Sequence, residues 1–415
     1  MPTMPQPAHS TARSPLAPLP PSDNITEHRR SPLPPLPLPH GVTQHLLHCP
    51  SAGLTFHLLE AGHAPEEQKP LVLLVHGYPE LAFSWRKVMP ALADAGYYVV
   101  AFDQRGYGRT TGWDDSPFPK TNMADFTVTN LVRDVVVLVH ALGYRAVECI
   151  VGHDFGAVTS SMCAWMRPDL FRSVVMMSHP FKEHPGLPFD VLHGEPATTP
   201  PPQLDVQKDL AKLPEPRKHY KWYNATSTAA LHWYSPNQGL AAFLRGYWHV
   251  KSADWGGNDP QPLTAWSAAE LAKMPLYYIM PFAKSMPETI ELMMQGEDAE
   301  KSKRWLSDEA LHVYVQEWRR TGFQGGLNWY RTMTDPERKK DLDLFAGRKI
   351  ECPSIFISGA KDWGNYQEPG ALEGFPKTCL QFKGVRMIEG AGHWPQQEQP
   401  EAVVKELLEF LEVHV

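Results

Sequence analysis

A short recurring pattern limits what this chain can fold into. "PLVLLVHG" (70–77), "YYVVAFDQRG", "AVECIVGHD", "SVVMMSHP", "SIFISGAKD" and "VRMIEGAGH" each carry a brief apolar run that closes on a polar or glycine-bearing turn. "LTFHLLEAG" (54–62) reads as a strand ahead of them. Unbroken apolar runs of this length, bounded by turn residues, read as strands buried on both faces. Candidate helices fall between them, such as 130–142. The closing segment "PEAVVKELLEFLEVHV" places Val403, Leu407 and Leu411 on one face, with Pro400 at the helix start. Buried parallel strands joined by helices predict an α/β fold with a mostly parallel, doubly wound sheet. Ligands of such sheets lie beyond the carboxyl ends of the strands, where the polar turns fall.

The rhythm stops between 185 and 341. A Pro-rich stretch, "HGEPATTPPPQLD", opens this block, and helical patterns follow. In "SDEALHVYVQEWRRTG", Ser307 is the N-cap, Leu311, Tyr314 and Trp318 share a face, and Gly322 ends the helix. The block reads as a helical cap inserted into the sheet domain, and its many tryptophans and tyrosines point to an apolar cavity beneath it. The expected organisation is a disordered Pro-rich tail (1–40), a first part of the core (41–184), the cap (185–341) and a second part of the core (342–415). The tail lacks apolar periodicity, so burial cannot offset the entropy of ordering it. It also has no apolar segment of the kind a secretory signal needs.

Composition excludes several classes of function. Hydrophobic residues at 42% and charged residues at 20% describe a globular protein. A net charge of −7 gives no affinity for nucleic-acid backbones. No apolar run is long enough for a membrane span. Cys49, Cys149, Cys163, Cys352 and Cys379 are scattered without a C-x-x-C pair, which argues against a disulfide framework or a zinc site. The expectation is a cytoplasmic protein with no cofactor and no metal, its oligomeric state left open.

The chemistry gathers in the turns. "GHDFG" (152–156) sets Asp154 between a strand and a helix, with glycines on both sides, where many hydrolases carry a serine nucleophile. The plainer reading makes Asp154 a helix N-cap. "SGAKDWGN" ends another strand on Asp362, for which an N-cap is again the plainer reading, and "AGHW" puts His393 in a turn just before the last helix. The order nucleophile, acid, histidine is nevertheless that of the α/β-hydrolase triad. "LLVHGYPE" closes a strand on His76 and Gly77 and offers the backbone N–H of Tyr78. With the N–H of Phe155, that makes an oxyanion hole.

Together "HGYP", "DQRGYG", "GHDFG", "GAKD" and "AGHW" resemble an epoxide hydrolase of the α/β-hydrolase superfamily, over residues 41–415. The resemblance implies two lid tyrosines acting as acids. "GFQGGLNWYR" matches one at Tyr330. "PLYYIMPFAKSMPE" resembles the other motif, and counting back from Pro287 and Glu288 selects Tyr277, with Tyr278 beside it. It implies a small epoxide substrate, apolar or aromatic, and a pocket drawn from His76, Pro79, Tyr278, Trp329 and Trp363. One departure is the interval of 208 positions from Asp154 to Asp362, long for the family and a sign of an enlarged cap.

A carboxylate suits such a reaction. It is ionised at neutral pH and opens an epoxide without a base, and the ester it forms is cleavable by water. A serine would form an ether, which water does not cleave. A haloalkane or haloacetate dehalogenase with the same triad is one alternative, but the residue after the nucleophile is Phe155 rather than a halide-binding Trp. A non-catalytic ligand-binding protein on the same fold is the other.

Overall fold

The computed structural model describes residues 33–64, 66–182 and 205–415. The main sheet takes β1 (Val42–Cys49), β2 (Leu54–Ala61), β3 (Leu71–Val75), β4 (Tyr98–Phe102), β5 (Cys149–His153) and β6 (Val174–Met177). A separate two-stranded ribbon, β7 (Arg217–His219) with β8 (Ile279–Pro281), comes next in the chain. β9 (Ile350–Gly359) and β10 (Cys379–Ile388) then complete the main sheet. Its order is β1-β2-β4-β3-β5-β6-β9-β10. The pairs β1/β2 and β2/β4 are antiparallel, and every later neighbour is parallel. This is the α/β-hydrolase fold.

Alternate residues of each central strand feed opposite layers. Leu71, Leu73 and Val75 of β3 join the cluster under the helices Val128–Ala141 and Phe155–Met166. Val72 and Leu74 join the other, where Val403, Leu407, Phe410 and Leu411 of the helix Pro400–His414 pack. All five residues of β3 are buried. Burying each such aliphatic side chain contributes about 1.5–3 kcal/mol, so a polar residue there is costly on either face.

Between β6 and β9 the described chain is mostly helical, and Ser307–Gly322 is built as the sequence expects. The Ser307 side chain accepts the N–H of Ala310, Trp318 and Tyr314 are fully buried, and Gly322 follows the helix Asp308–Thr321 at φ 67°. That helix is fastened to the core by Arg109 Nε on Glu317 (2.7 Å) and Trp318 Nε1 on the Pro79 carbonyl (2.8 Å). Gly106 of "DQRGYG" meets Gly325 of "GFQGG" backbone to backbone. A Cβ on Gly106 would lie 2.7 Å from the Gly325 carbonyl, so the contact needs two glycines. It fixes the helix Gln324–Met333, and with it Tyr330, against the core.

Residues 1–32 of the Pro-rich tail, the opening of the cap at 185 and the stretch 193–204 lie outside the described residues. Leu36 and Leu38, at the end of the tail, pack partly buried on the hydrophobic clusters. Among the described residues no helix is long and apolar enough to cross a membrane. Cys49, Cys149, Cys163 and Cys352 are free, and they and Cys379 are buried.

Candidate active site

Asp154 stands between β5 and the helix Phe155–Met166 at φ 54°, ψ −116°. Positive φ is strained for a residue with a Cβ and costs about 1–3 kcal/mol. The flanking glycines are required by close approach. A Cβ on Gly152 would lie 1.9 Å from the Gly156 carbonyl oxygen, and one on Gly156 would lie 2.0 Å from that of Val75. The Asp154 side chain does not cap the helix, so the plainer reading of this residue falls. Instead its Oδ1 accepts the N–H of Tyr78 at 2.9 Å, and its Oδ2 stands 3.4 Å from Nε2 of His393. The N–H of Phe155, at the first position of the helix, has no intrahelical acceptor.

The other two polar turns converge on the same point. Asp362, just past β9, receives Nδ1 of His393 at 3.0 and 3.1 Å and also accepts the Gly364 N–H at 2.7 Å. Here the two readings of the sequence hold together, because Asp362 caps the short helix Trp363–Tyr366 and orients His393. His393 is fully buried. Burial pushes its pKa down, but the neighbouring Asp362 outweighs this and the net shift is upward. For Asp154 burial pushes up. The hydrogen bond and charge of His393, with Lys251 and His153 behind them, win and hold the carboxyl well below the usual range. Asp154 is therefore ionised at neutral pH.

A buried polar frame, not anticipated from the sequence, locks these loops together. Glu80 takes Nδ1–H of His153 at 2.6 Å and the side-chain amides of Gln396 and Gln397. His153 holds the His393 carbonyl through Nε2 at 2.6 Å. Glu398 accepts the N–H groups of Gly392 and Trp394, one on each side of His393, and that of Ala253. Trp394 Nε1 donates to the Trp248 carbonyl at 3.0 Å.

From the helix Gln324–Met333, Tyr330 packs its ring 4.6 Å from Phe155 and 5.5 Å from Tyr78. The structure does not bring Tyr277 into this group. Its hydroxyl donates to Asn258 at 2.6 Å, and its nearby carboxylate is Asp362 rather than Asp154. The ring facing Tyr330, at 5.8 Å, is that of Tyr220. Burial raises the Tyr220 hydroxyl well above its ordinary pKa, with Asp154 the largest charge acting on it. Burial raises Tyr330 in the same way, so both stay protonated donors. The Tyr220 hydroxyl donates to Gln367 at 3.2 Å. Tyr278 lies between the two candidates, its ring 5.2 Å from Tyr220 and 4.8 Å from Tyr277, and its hydroxyl has no partner among the described residues.

The remaining pocket candidates divide. His76 is a clamp rather than a lining residue, because its Nδ1–H donates to the Gly77 carbonyl and its Nε2 accepts the Gln104 N–H. Pro79 anchors the helix Asp308–Thr321 through its carbonyl, which accepts Trp318 Nε1–H. Trp363 is buried at the start of the helix that Asp362 caps. Trp329, 5.4 Å from Phe155, does line a cavity of about 550 Å³ that also touches Phe155, Phe181, Trp222 and Trp266. Asp154 and His393 are not in that lining, so the cavity abuts the triad from the Phe155 side.

The family described as alpha/beta hydrolase fold matches residues 70–400. Epoxide hydrolase B of Mycobacterium tuberculosis is 32% identical over 372 residues, covering 88% of this chain and 97% of its own. Epoxide hydrolase A of the same organism is 33% identical over 366 residues, covering 86% and 94%. Among solved structures, an epoxide hydrolase from an endophytic Streptomyces superposes with a TM-score of 0.70 at 28% identity, covering 90% of this chain and 96% of that one.

Proposed function

The chain belongs to the α/β-hydrolase fold family and is an epoxide hydrolase, and on that premise we propose that it works through a covalent ester on Asp154. The observation that carries the reading is the carboxylate itself. It is held ionised at a buried turn of the backbone, with one oxygen on the Tyr78 N–H and the other facing His393. Asp154 attacks an epoxide carbon, the carbon–oxygen bond breaks, and the oxygen takes a proton from Tyr220 or Tyr330. His393, oriented by Asp362, then removes a proton from water, which attacks the ester carbonyl. The N–H groups of Tyr78 and Phe155 hold the oxyanion. On collapse the departing oxygen takes the proton from His393 to release a vicinal diol, and the proton left on the Asp154 carboxyl returns to the tyrosine phenolate. The aromatic walls of the adjoining cavity support an apolar or aromatic epoxide that enters from the Phe155 side. The helical elements between β6 and β9 support a cap over 185–341, set between core parts 41–184 and 342–415. The free, buried thiols of Cys49, Cys149, Cys163 and Cys352 support a reducing, cytoplasmic setting.

Oxygen tracing tests the mechanism. In water enriched with heavy oxygen, one turnover with enzyme in excess is expected to give unlabelled diol, and peptide mass spectrometry to find the label on the fragment containing Asp154. Label in that first diol with none in the protein would make Asp154 a base acting on water and end the ester proposal.

The tyrosines give a second test. One donor to a developing oxyanion is worth roughly 2.7–4 kcal/mol, and two donors share the charge here. Tyr220→Phe and Tyr330→Phe are each expected to slow ring opening by about 10–100-fold in rapid-quench single turnovers, with the double variant nearly inactive. Tyr277→Phe is expected to stay within a few-fold of wild type. A crippled Tyr277→Phe beside a near-normal Tyr220→Phe would return the first acid to the position read from the sequence.

A further inference from the structure

One cation in this site has no part in the chemistry so far. Lys251 ends the helix Leu240–Lys251, and its backbone carbonyl accepts the N–H of His393 at 2.8 Å. The residue is only 3% exposed. Its Nζ sits among four aromatic rings, 5.0 Å from Tyr278, 5.2 Å from Trp394, 5.3 Å from Tyr247 and 5.9 Å from Tyr277. Among the described residues it makes no hydrogen bond and no ion pair. A buried ammonium is normally paired, and ring faces compensate it only in part. The groups that act on it are the carboxylates of Asp154, Asp362 and Glu80 and the imidazole of His393, with the hydroxyls of Tyr247, Tyr277 and Tyr278 on the rings around it.

The charge balance around His393 changes during the reaction. In the free enzyme Asp154 and Asp362 both favour the imidazolium, the form that cannot act as a base. Alkylation turns Asp154 into a neutral ester and removes one of the two, while the ammonium remains. We propose that Lys251 is a positioning residue acting by charge: once Asp154 is esterified it holds His393 in the neutral form, so that the first half-reaction arms the base of the second. The inference rests on the roles given above to Asp154 and His393. With the three carboxylates ionised, burial lowers Lys251 to about 8; esterification removes the pull of Asp154, so in the ester form its charge acts on the acid side. Its charge opposes the rise that Asp362 gives His393.

The test follows decay of the ester in rapid-quench experiments across pH for wild type, Lys251→Met and Lys251→Arg. Methionine fills the aromatic cage without charge, and arginine keeps the charge. Ester decay in Lys251→Met is expected to fall about tenfold at about pH 5.5 and to match wild type at about pH 8.5, with Lys251→Arg restoring the acid side. Equal loss at both pH values would mean a packing role, and no change at either would mean no role. Both results overturn the proposal. Wild type supplies a measurement free of folding defects: the midpoint of the acid limb of ester decay should lie below the His393 titration of the free enzyme, followed by imidazole NMR. Coincident midpoints overturn the proposal as well. Absence of any ester in wild type or in His393→Gln would instead strike the underlying mechanism, and is recognisable because it involves no change at Lys251.

Discussion

Asp154→Ala is expected to lower kcat by roughly 10⁴-fold or more while leaving the protein folded. The substitution removes the atom that forms the bond to carbon, and loss of a catalytic nucleophile typically costs that much or more. Folding is much less affected. Alanine keeps the strained φ of 54° and leaves the Tyr78 N–H without its acceptor, a penalty of about 1–3 kcal/mol for a buried donor. Asp154→Gly relieves the strain and is expected to melt higher than the alanine variant, with equally little activity. Steady-state assays beside thermal melts check both. An alanine variant that melts like wild type and still hydrolyses epoxides at a substantial rate would remove Asp154 from the mechanism.

His393→Gln is expected to split the reaction in two. The Asp154 carboxylate is ionised without help from a base, so ring opening should persist. Water activation should not, and a general base of this kind contributes about 10²–10⁴-fold. Turnover then falls by that factor while the ester accumulates. Intact-protein mass spectrometry after mixing with substrate should show one added substrate mass, in an amount approaching the enzyme present. No adduct, together with loss of the fast ring-opening phase, would place His393 in the first step. The sign of the pH dependence follows from the same assignment. A protonated imidazole cannot accept a proton, so wild-type ester hydrolysis should fail as pH drops through the His393 pKa of the ester form, which lies below the raised value of the free enzyme because Asp154 is then neutral.

The sheet was legible because parallel strands buried on both faces must be written as apolar runs, and β3 to β6 and β9 each carry one. β1 escaped because it is an edge strand. Only Val42 and Cys49 at its ends are buried, and the polar residues between them carry no clean alternation. The three turn residues Asp154, Asp362 and His393 were legible because each lies just past a strand, where a doubly wound sheet gathers its polar ends. Tyr277 shows where such reading stops. The choice leaned on Pro287 and Glu288, but these belong to a capping box: Ser285 and Glu288 satisfy each other's backbone at the start of the helix Met286–Met293. That signal concerned a helix terminus, not a tyrosine. Tyr220 is brought to Tyr330 by the β7–β8 ribbon, which pairs Arg217 with Pro281 and His219 with Ile279, and by the Tyr220 N–H on the Tyr278 carbonyl. A contact made between distant segments leaves no local pattern to find.

The attachment of the segment 248–253 to the histidine loop bears on how a cap, as proposed above, could open. The His393 N–H bonds the Lys251 carbonyl, Trp394 Nε1 bonds the Trp248 carbonyl, and Glu398 bonds the Ala253 N–H. A cap that swung away on this flank as a hinged flap would break all three bonds together and drag the base out of register with Asp154. Opening that flank would therefore break more hydrogen bonds than side-chain rotations on the Phe155 side, the entry route proposed above. The working cycle is that of a vessel filled through a side port, its roof riveted to the machinery inside.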